Sequence, residues 1–325
     1  MRQIMYIEAI REALREELNR DKDVFLLGED IGEYGGAFGV TRDLFSEFGP
    51  ERIRNTPMSE SAITGIAAGA AINGLRPVAE LMFMDFITLA MDQILNHMSK
   101  FRYMYNGQVK VPVTIRTPAG AGRGYGPTHS QSLEAWLMNV PGIKIAAPST
   151  PYDAKGLLKS AIRDDNPVVF IENKLLYAKS GEVPEKDYTL EFGKAAIRRE
   201  GTDITLIAHS GMNALAMEAA IELEKEGISA EVIDPRTLKP LDIKTITNSI
   251  KKTHKAVIIE EGCKLCGIGA EIASQIIENA FGHLDAPVRR IAAADVPIAC
   301  CPSLERAAIP SRESIIKAVK EIKDV

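Results

Sequence analysis

The stretch "PMSESAITGIAAGAA", residues 57–71, sets one carboxylate, Glu60, at the head of a run of Ala, Gly, Ile and Thr. Small residues of this kind pack closely and exclude water. An ionisable acid among them has a partner, has a raised pKa, or has its proton put to use. Ser59 before it is a helix cap, and a helix dipole favours an acid in the first turn, so a structural reading of Glu60 stands beside the chemical one. Glu29 closes the apolar run "DVFLLGED" (23–30), at the strand end where α/β sheets present groups to ligands; the alternative is a solvated acid in a turn. His129 follows the glycine-rich "GAGRGYG" (120–126) and is expected to begin a helix. A lone histidine is more often structural, yet its side chain can move a proton near neutral pH. Phe86, in "FMDF", reads on its own as core.

The elements that must position these residues alternate along the chain. An amphipathic helix at the N-terminus is followed by the strand at 23–30, a helix over 60–73, a strand at 77–83, a helix over 87–105 and a strand at 111–117. Beyond the glycine-rich loop come a helix near 130–139, a strand in "IKIAAP", a helix over 151–163 and a strand at 167–172. The polar segment 178–201 interrupts this rhythm and reads as a linker. A second cycle follows, with strands at 203–208, 229–234, 255–261 and 287–293 and helices at 213–226, 242–252 and 268–280. Strands separated by helices imply mainly parallel sheets with both faces covered. The expectation is an α/β protein of two domains, 1–190 and 191–325.

Composition narrows the function classes. With 325 residues, 46% apolar and 26% charged, the chain reads as a soluble globular protein. A net charge of -5 with interspersed signs leaves no footprint for nucleic acid or an anionic membrane. No run is long and apolar enough for a signal or a membrane span, so the expected location is the cytoplasm. Cys263 and Cys266 form a C-x-x-C and Cys300 and Cys301 are adjacent, a spacing that fits tetrahedral zinc poorly; they are read as small apolar residues. The G-x-G-x-x-G register fails in "GAGRGYG" at Tyr125 or Pro127, and phosphate-loop, zinc-protease and serine-hydrolase motifs are absent.

Four further stretches occur in order: "LLGEDIGEYGGAFGVT", "FGPERIRNTPMSESAITGIAAGAAINGLRPVAELMFMDF", "HSQSLEAW" and "PSTPYDAKGLLKSAIRDDNPVVFIEN". Together they resemble the beta subunit of the thiamine-diphosphate-dependent first component of 2-oxoacid dehydrogenase complexes, of the pyruvate or acetoin type. "REGTDITLIAHSGM", "VIDPRTLKPLD" and "IGAEIA" are similar to the C-terminal domain of that family, so the resemblance spans nearly the whole chain. It implies a transketolase-like pyrimidine-binding domain followed by a transketolase C-terminal domain. It implies that Glu60 hydrogen-bonds a ring nitrogen of the cofactor's aminopyrimidine, with Glu29 close by, Phe86 packed on that ring and main-chain contacts from Met58. It implies that His129 contacts substrate or the lipoyl arm. It also implies a structural potassium ion held by oxygens of Val113, Ala161, Ile162, Asp164 and Asn166, the ligand type a hard cation prefers.

Enzymes that hold thiamine diphosphate grip the diphosphate and its magnesium ion with a G-D-G motif, and this sequence has none. The resemblance therefore implies an alpha subunit that supplies that half, in an α2β2 heterotetramer, and a lipoyl-bearing transacylase as acceptor. Pyruvate, acetoin and branched-chain 2-oxoacids share all the residues named. Two other readings stand beside this one: a transketolase-like transferase split over two chains, and a non-catalytic docking subunit.

Overall fold

A computed structural model describes residues 1–323 and divides the chain into two compact units. The first holds residues 1–119 and 139–192; the second holds 120–138 and the described chain from 193 to 323.

In the first unit, six parallel strands lie in the order Lys144–Ala146, Val168–Asn173, Thr114–Ala119, Arg76–Glu80, Val24–Gly28 and Ile53–Asn55. Val24–Gly28, Thr114–Ala119 and Val168–Asn173 are buried along their whole length, and the first and third read as largely apolar runs without alternation. The Tyr6–Arg20 helix buries Tyr6, Ala9, Ile10, Ala13, Leu14, Glu17 and Leu18, a stripe at three- and four-residue spacing, and packs on the Pro151–Arg163 helix. Glu17 in that stripe is buried because Arg163 Nη2 meets it at 2.6 Å. Pro151 opens the second helix at a position that needs no N–H, and Thr150 Oγ1 accepts from Asp153 N at 3.2 Å.

Several expectations give way here. The N-terminus starts with a strand, Arg2–Met5, antiparallel to Ser180–Val183, so the segment read as a linker contains sheet. Ala196–Arg199, in the same segment, is a strand of the second unit. The single helix expected over 87–105 is three pieces, Ile87–Asp92, a π-helical turn Gln93–Met98 and Ser99–Met104. Close to the last piece comes Gly142, at φ +89, where a Cβ would fall 2.2 Å from the Ser99 carbonyl oxygen, so only glycine fits.

The second unit has a five-stranded sheet, ordered Arg289–Ala293, Ala256–Cys263, Ile204–Ala208, Ala230–Asp234 and Ala196–Arg199. The first four are parallel and the last is antiparallel to its neighbour. Helices Gly211–Lys225, Ile243–Thr253, Ile268–Ala280 and Arg312–Lys323 accompany it. The helix expected over 130–139 is only Glu134–Met138, and His129 lies in a turn before it. The reason is local: Gln131 spends its carbonyl on the Gly120 N–H at 3.3 Å, closing a loop where a helix would need it. Among the described residues no helix is long and apolar enough to cross a membrane.

Candidate functional site

The Glu60–Ile72 helix buries Glu60, Ile63, Thr64, Ala67, Ala68 and Ala71, so Glu60 heads the buried stripe. Ser59 caps the helix, its Oγ accepting from Ala62 N at 3.4 Å, and Thr64 Oγ1 donates to the Glu60 carbonyl at 2.7 Å. The cap uses Ser59 and leaves the Glu60 carboxylate alone. That carboxylate belongs to a residue only 6% exposed, and no hydrogen bond or ion pair reaches it among the described residues.

Glu29 stands directly after the Val24–Gly28 strand. Gly28 is needed there, since a Cβ would fall 2.8 Å from the Glu80 carbonyl oxygen of the neighbouring strand. Burial pushes the Glu29 carboxyl up, and the nearby charges of Glu60 and Asp30 push it further. Its Oε1 is buried and has no hydrogen-bond partner. Two neighbouring acids, Glu60 buried and Glu29 part-buried with an orphaned oxygen, are suited to share a proton with a ligand that carries ring nitrogens and an amino group.

Phe86 ends a short 3₁₀ turn, Met84–Phe86, and is half-buried. It meets Phe83 edge-on, centroids 6.3 Å apart, and Phe83 meets Phe38 in the same way at 5.5 Å. Lys174 Nζ lies 5.2 Å from the Phe83 ring centroid. Met58 is 82% exposed, so its side chain makes no core.

One feature of this unit escaped sequence reasoning. Arg116, 1% exposed, pairs with Glu80 and with Glu172, Nε to Oε1 at 2.7 Å and Nη2 to Oε2 at 2.8 Å, while Tyr177 OH donates to Glu172 Oε2 at 2.7 Å. Burial opposes the charge on Arg116, but Glu172 and then Glu80 hold it protonated. The sequence holds the three charges in three separate strand segments, but only the folded sheet pairs them, with Glu80 and Arg116 in register.

The turn after the Pro151–Arg163 helix is rich in engaged oxygens. Arg76 Nη1 donates to the carbonyls of Ile162 and Asp164, each at 3.1 Å, and Lys144 pairs with the Asp164 carboxylate. Asp164 Oδ1 accepts from Asn166 N and Nδ2 at 2.9 Å, and Arg102 Nη1 donates to Asn166 Oδ1 at 2.7 Å. The Ala161 carbonyl accepts from Asp164 N at 3.2 Å, and that of Val113 from Val168 N at 2.9 Å. These oxygens are already engaged by the cationic side chains of Arg76, Lys144 and Arg102, although each carbonyl oxygen keeps a second lone pair.

In the second unit, His129 is half-buried, with Nδ1 3.0 Å from Thr128 Oγ1 and its N–H donating to the Gly126 carbonyl at 3.3 Å. Glu134, His209 and Glu260 line a separate cavity of about 220 Å³ with Cys263 and Cys266. Burial, with added repulsion from Glu261 and Glu260, pushes the Glu134 carboxyl up to about 8. Burial likewise raises Glu260 to about 7 against hydrogen bonds from the Gly269 and Ile268 N–H groups, and lowers His209 to about 4. All four cysteines are free and exposed, which corrects their reading as packing residues: each lies in a loop or at a strand end, where the backbone turns outward.

Two family models match the chain: transketolase, pyrimidine binding domain, over residues 2–179, and transketolase, C-terminal domain, over residues 193–315. The chain is 48% identical over 322 residues to the pyruvate dehydrogenase E1 component subunit beta of Gracilaria tenuistipitata var. liui, covering 99% of this chain and 100% of the relative. The protein of the same name from Rickettsia felis is 46% identical over 320 residues, with 98% of each covered. Pyruvate dehydrogenase E1 component subunit beta-2, mitochondrial, of Oryza sativa subsp. japonica is 49% identical over 317 residues, covering 96% of this chain and 84% of that one. Among solved structures, a split gene transketolase described as an inactive beta4 tetramer superposes with a TM-score of 0.81 at 26% identity, covering 99% of this chain and 98% of the other.

Proposed function

We propose a function from one premise: the chain belongs to the family of pyruvate dehydrogenase E1 component beta subunits, built from transketolase pyrimidine-binding and C-terminal domains. It is the beta subunit of a thiamine-diphosphate-dependent oxidoreductase of the pyruvate dehydrogenase type. Its substrate in this reading is pyruvate, and the acyl group passes to lipoyl on a transacylase. The alpha subunit completes an α2β2 heterotetramer and supplies the grip on diphosphate and magnesium. Four free thiols suit a reducing cytoplasm as its location.

Thiamine diphosphate, when bound, supplies the electron sink for cleaving the bond to the departing carboxylate. The residues of this chain hold and tune it. Glu60 would hydrogen-bond a ring nitrogen of the aminopyrimidine and hold a proton there, and Glu29 would sit in the same proton network through its orphaned oxygen. Phe86 would pack on the ring, and the backbone at Met58 would fix its edge. His129 would contact the substrate or the lipoyl arm and donate a proton. Oxygens of Val113, Ala161, Ile162, Asp164 and Asn166 would hold a structural potassium ion, away from the chemistry.

The observation that carries the reading is the acid pair: a buried Glu60 without a partner among the described residues, beside a Glu29 whose oxygen is orphaned. The test is Glu60→Gln, reconstituted with the alpha subunit and assayed by ferricyanide-coupled oxidation of pyruvate. Loss of the proton-holding carboxylate should cost about 10²–10⁴ in kcat, the range of general acid–base contributions, with circular dichroism unchanged. Full activity would favour the docking-subunit reading instead. Oxidation of acetoin or branched-chain 2-oxoacids in preference to pyruvate would reassign the substrate.

A further inference from the structure

We propose that Glu305, assisted by Glu261, is a positioning residue: its carboxylate serves as a built-in anion that fixes the glycine-rich loop carrying His129. This rests on the role given to His129 above.

The loop runs from Gly120, whose N–H donates to Gln131 O at 3.3 Å, so residues 120–131 form a closed loop with His129 near its second end. Gly120, Gly122, Gly124 and Gly126 all have positive φ, from +68 to +97. Alternating conformations of this sort turn successive N–H groups toward one side and create a concavity that attracts anions. Here the anion is the chain's own. Gly122 N donates to Glu305 Oε1 at 2.8 Å, and Gly124 N lies 3.2 and 3.1 Å from its two oxygens. Ala121 N donates to Glu261 Oε1 at 2.6 Å.

Glu305 is 2% exposed and sits in the Pro302–Ala308 helix. Charge-assisted bonds to several N–H groups are among the stronger hydrogen bonds a loop can make. The same segment closes on the loop a second time: a Cβ at Gly126 would fall 2.5 Å from Cys300 Sγ. Gly126 in turn accepts from His129 N, so the restraint passes from Glu305 along three residues to the histidine. Without the carboxylate, the N–H groups turn to water and the loop samples other conformations, while the sheet and its helices keep their own bonds. Glu305 thus acts on the geometry of His129 without touching a reacting atom.

The experiment uses Glu305→Ala, Glu305→Gln and His129→Ala, each as the full chain and reconstituted with the alpha subunit. Trypsin cleavage after Arg123 reports loop order in the full chain, and kcat with lipoyl acceptor reports positioning in the complex. Glu305→Ala should speed that cleavage and lower kcat, each tenfold or more, with circular dichroism and assembly unchanged. Added formate, small enough to refill the concavity, should reverse part of both changes and leave the wild type unaffected. Glu305→Gln, which keeps an acceptor oxygen, should fall between and serves if the alanine variant does not fold. Unchanged cleavage and kcat overturn the proposal, as does faster cleavage with undiminished kcat while His129→Ala is inactive. Full activity of His129→Ala removes the group to be positioned; it leaves the Glu60 reading intact, so the two failures are distinguishable.

Discussion

Glu134 is buried, and burial with repulsion from Glu261 and Glu260 raises its carboxyl from 4.5 to about 8. A carboxyl raised on folding contributes its full stability below 4.5, and that contribution is lost as pH climbs toward 8, because the native state must then hold a buried charge. Glu134→Gln removes this penalty, so its melting temperature should exceed the wild type's by a margin that grows from pH 5 to pH 8. The corresponding stability margin at pH 8 is bounded at roughly 5 kcal/mol by the distance between 4.5 and about 8. A constant difference across that range would refute the assignment. At this scale the sequence was legible wherever a residue type contradicted its surroundings. Glu60 stood out among Ala and Gly, and Glu29 at the end of an apolar run. Glu134 and Arg116 were not, because their partners come from strands and loops far along the chain, and only the packed sheet brings Glu80, Arg116 and Glu172 into one cluster.

The Glu60–Ile72 helix shows how an element sets what a side chain can do. Its apolar stripe fixes which way Glu60 faces, and its other face leaves Ile66 57% exposed. Gly69 lies in the helix interior with open space where a Cβ would go. Gly69→Ala should therefore raise the urea-unfolding stability of the isolated chain by about 1 kcal/mol, the difference in helix propensity. A loss would mean that the backbone there is under a constraint the helix does not reveal. The oxygen-rich turn at 161–166 makes a second prediction. A bound alkali cation stabilises by linkage, so the melting temperature should be higher in potassium chloride than in choline chloride at equal ionic strength. Identical values would mean that the side-chain cations already on the turn, Arg76, Lys144, Arg102 and Lys110, satisfy it without a bound ion. The parallel alternation was readable because strands buried on both faces are mostly apolar, with charges such as Arg116 and Glu172 as exceptions. The break in the 87–104 helix was not, since a π-helical turn carries no residue signature, and neither was the Ser180–Val183 strand, whose partner lies at the opposite end of the first unit.

For the molecule as a whole, the proposed function makes the acid pair and the missing diphosphate motif half of a cofactor site. The isolated chain should bind thiamine diphosphate weakly by calorimetry, with an affinity that magnesium does not change; adding the alpha subunit should make binding tight and magnesium-dependent. Tight, magnesium-dependent binding by this chain alone would contradict the division of labour between subunits. The two-unit organisation was visible as two cycles of alternating strands and helices. The membership of residues 120–138 was not, because it depends on where Glu261 and Glu305 place their carboxylates.

That last feature has a practical corollary. The backbone passes between the units after Ala119, after Met138 and again after Phe192, so no single cut separates them. A gene divided after Phe192 would strand the histidine-bearing loop on the fragment that lacks its two anchoring carboxylates. Co-expressed halves should recover activity only by complementation, never as independently competent modules.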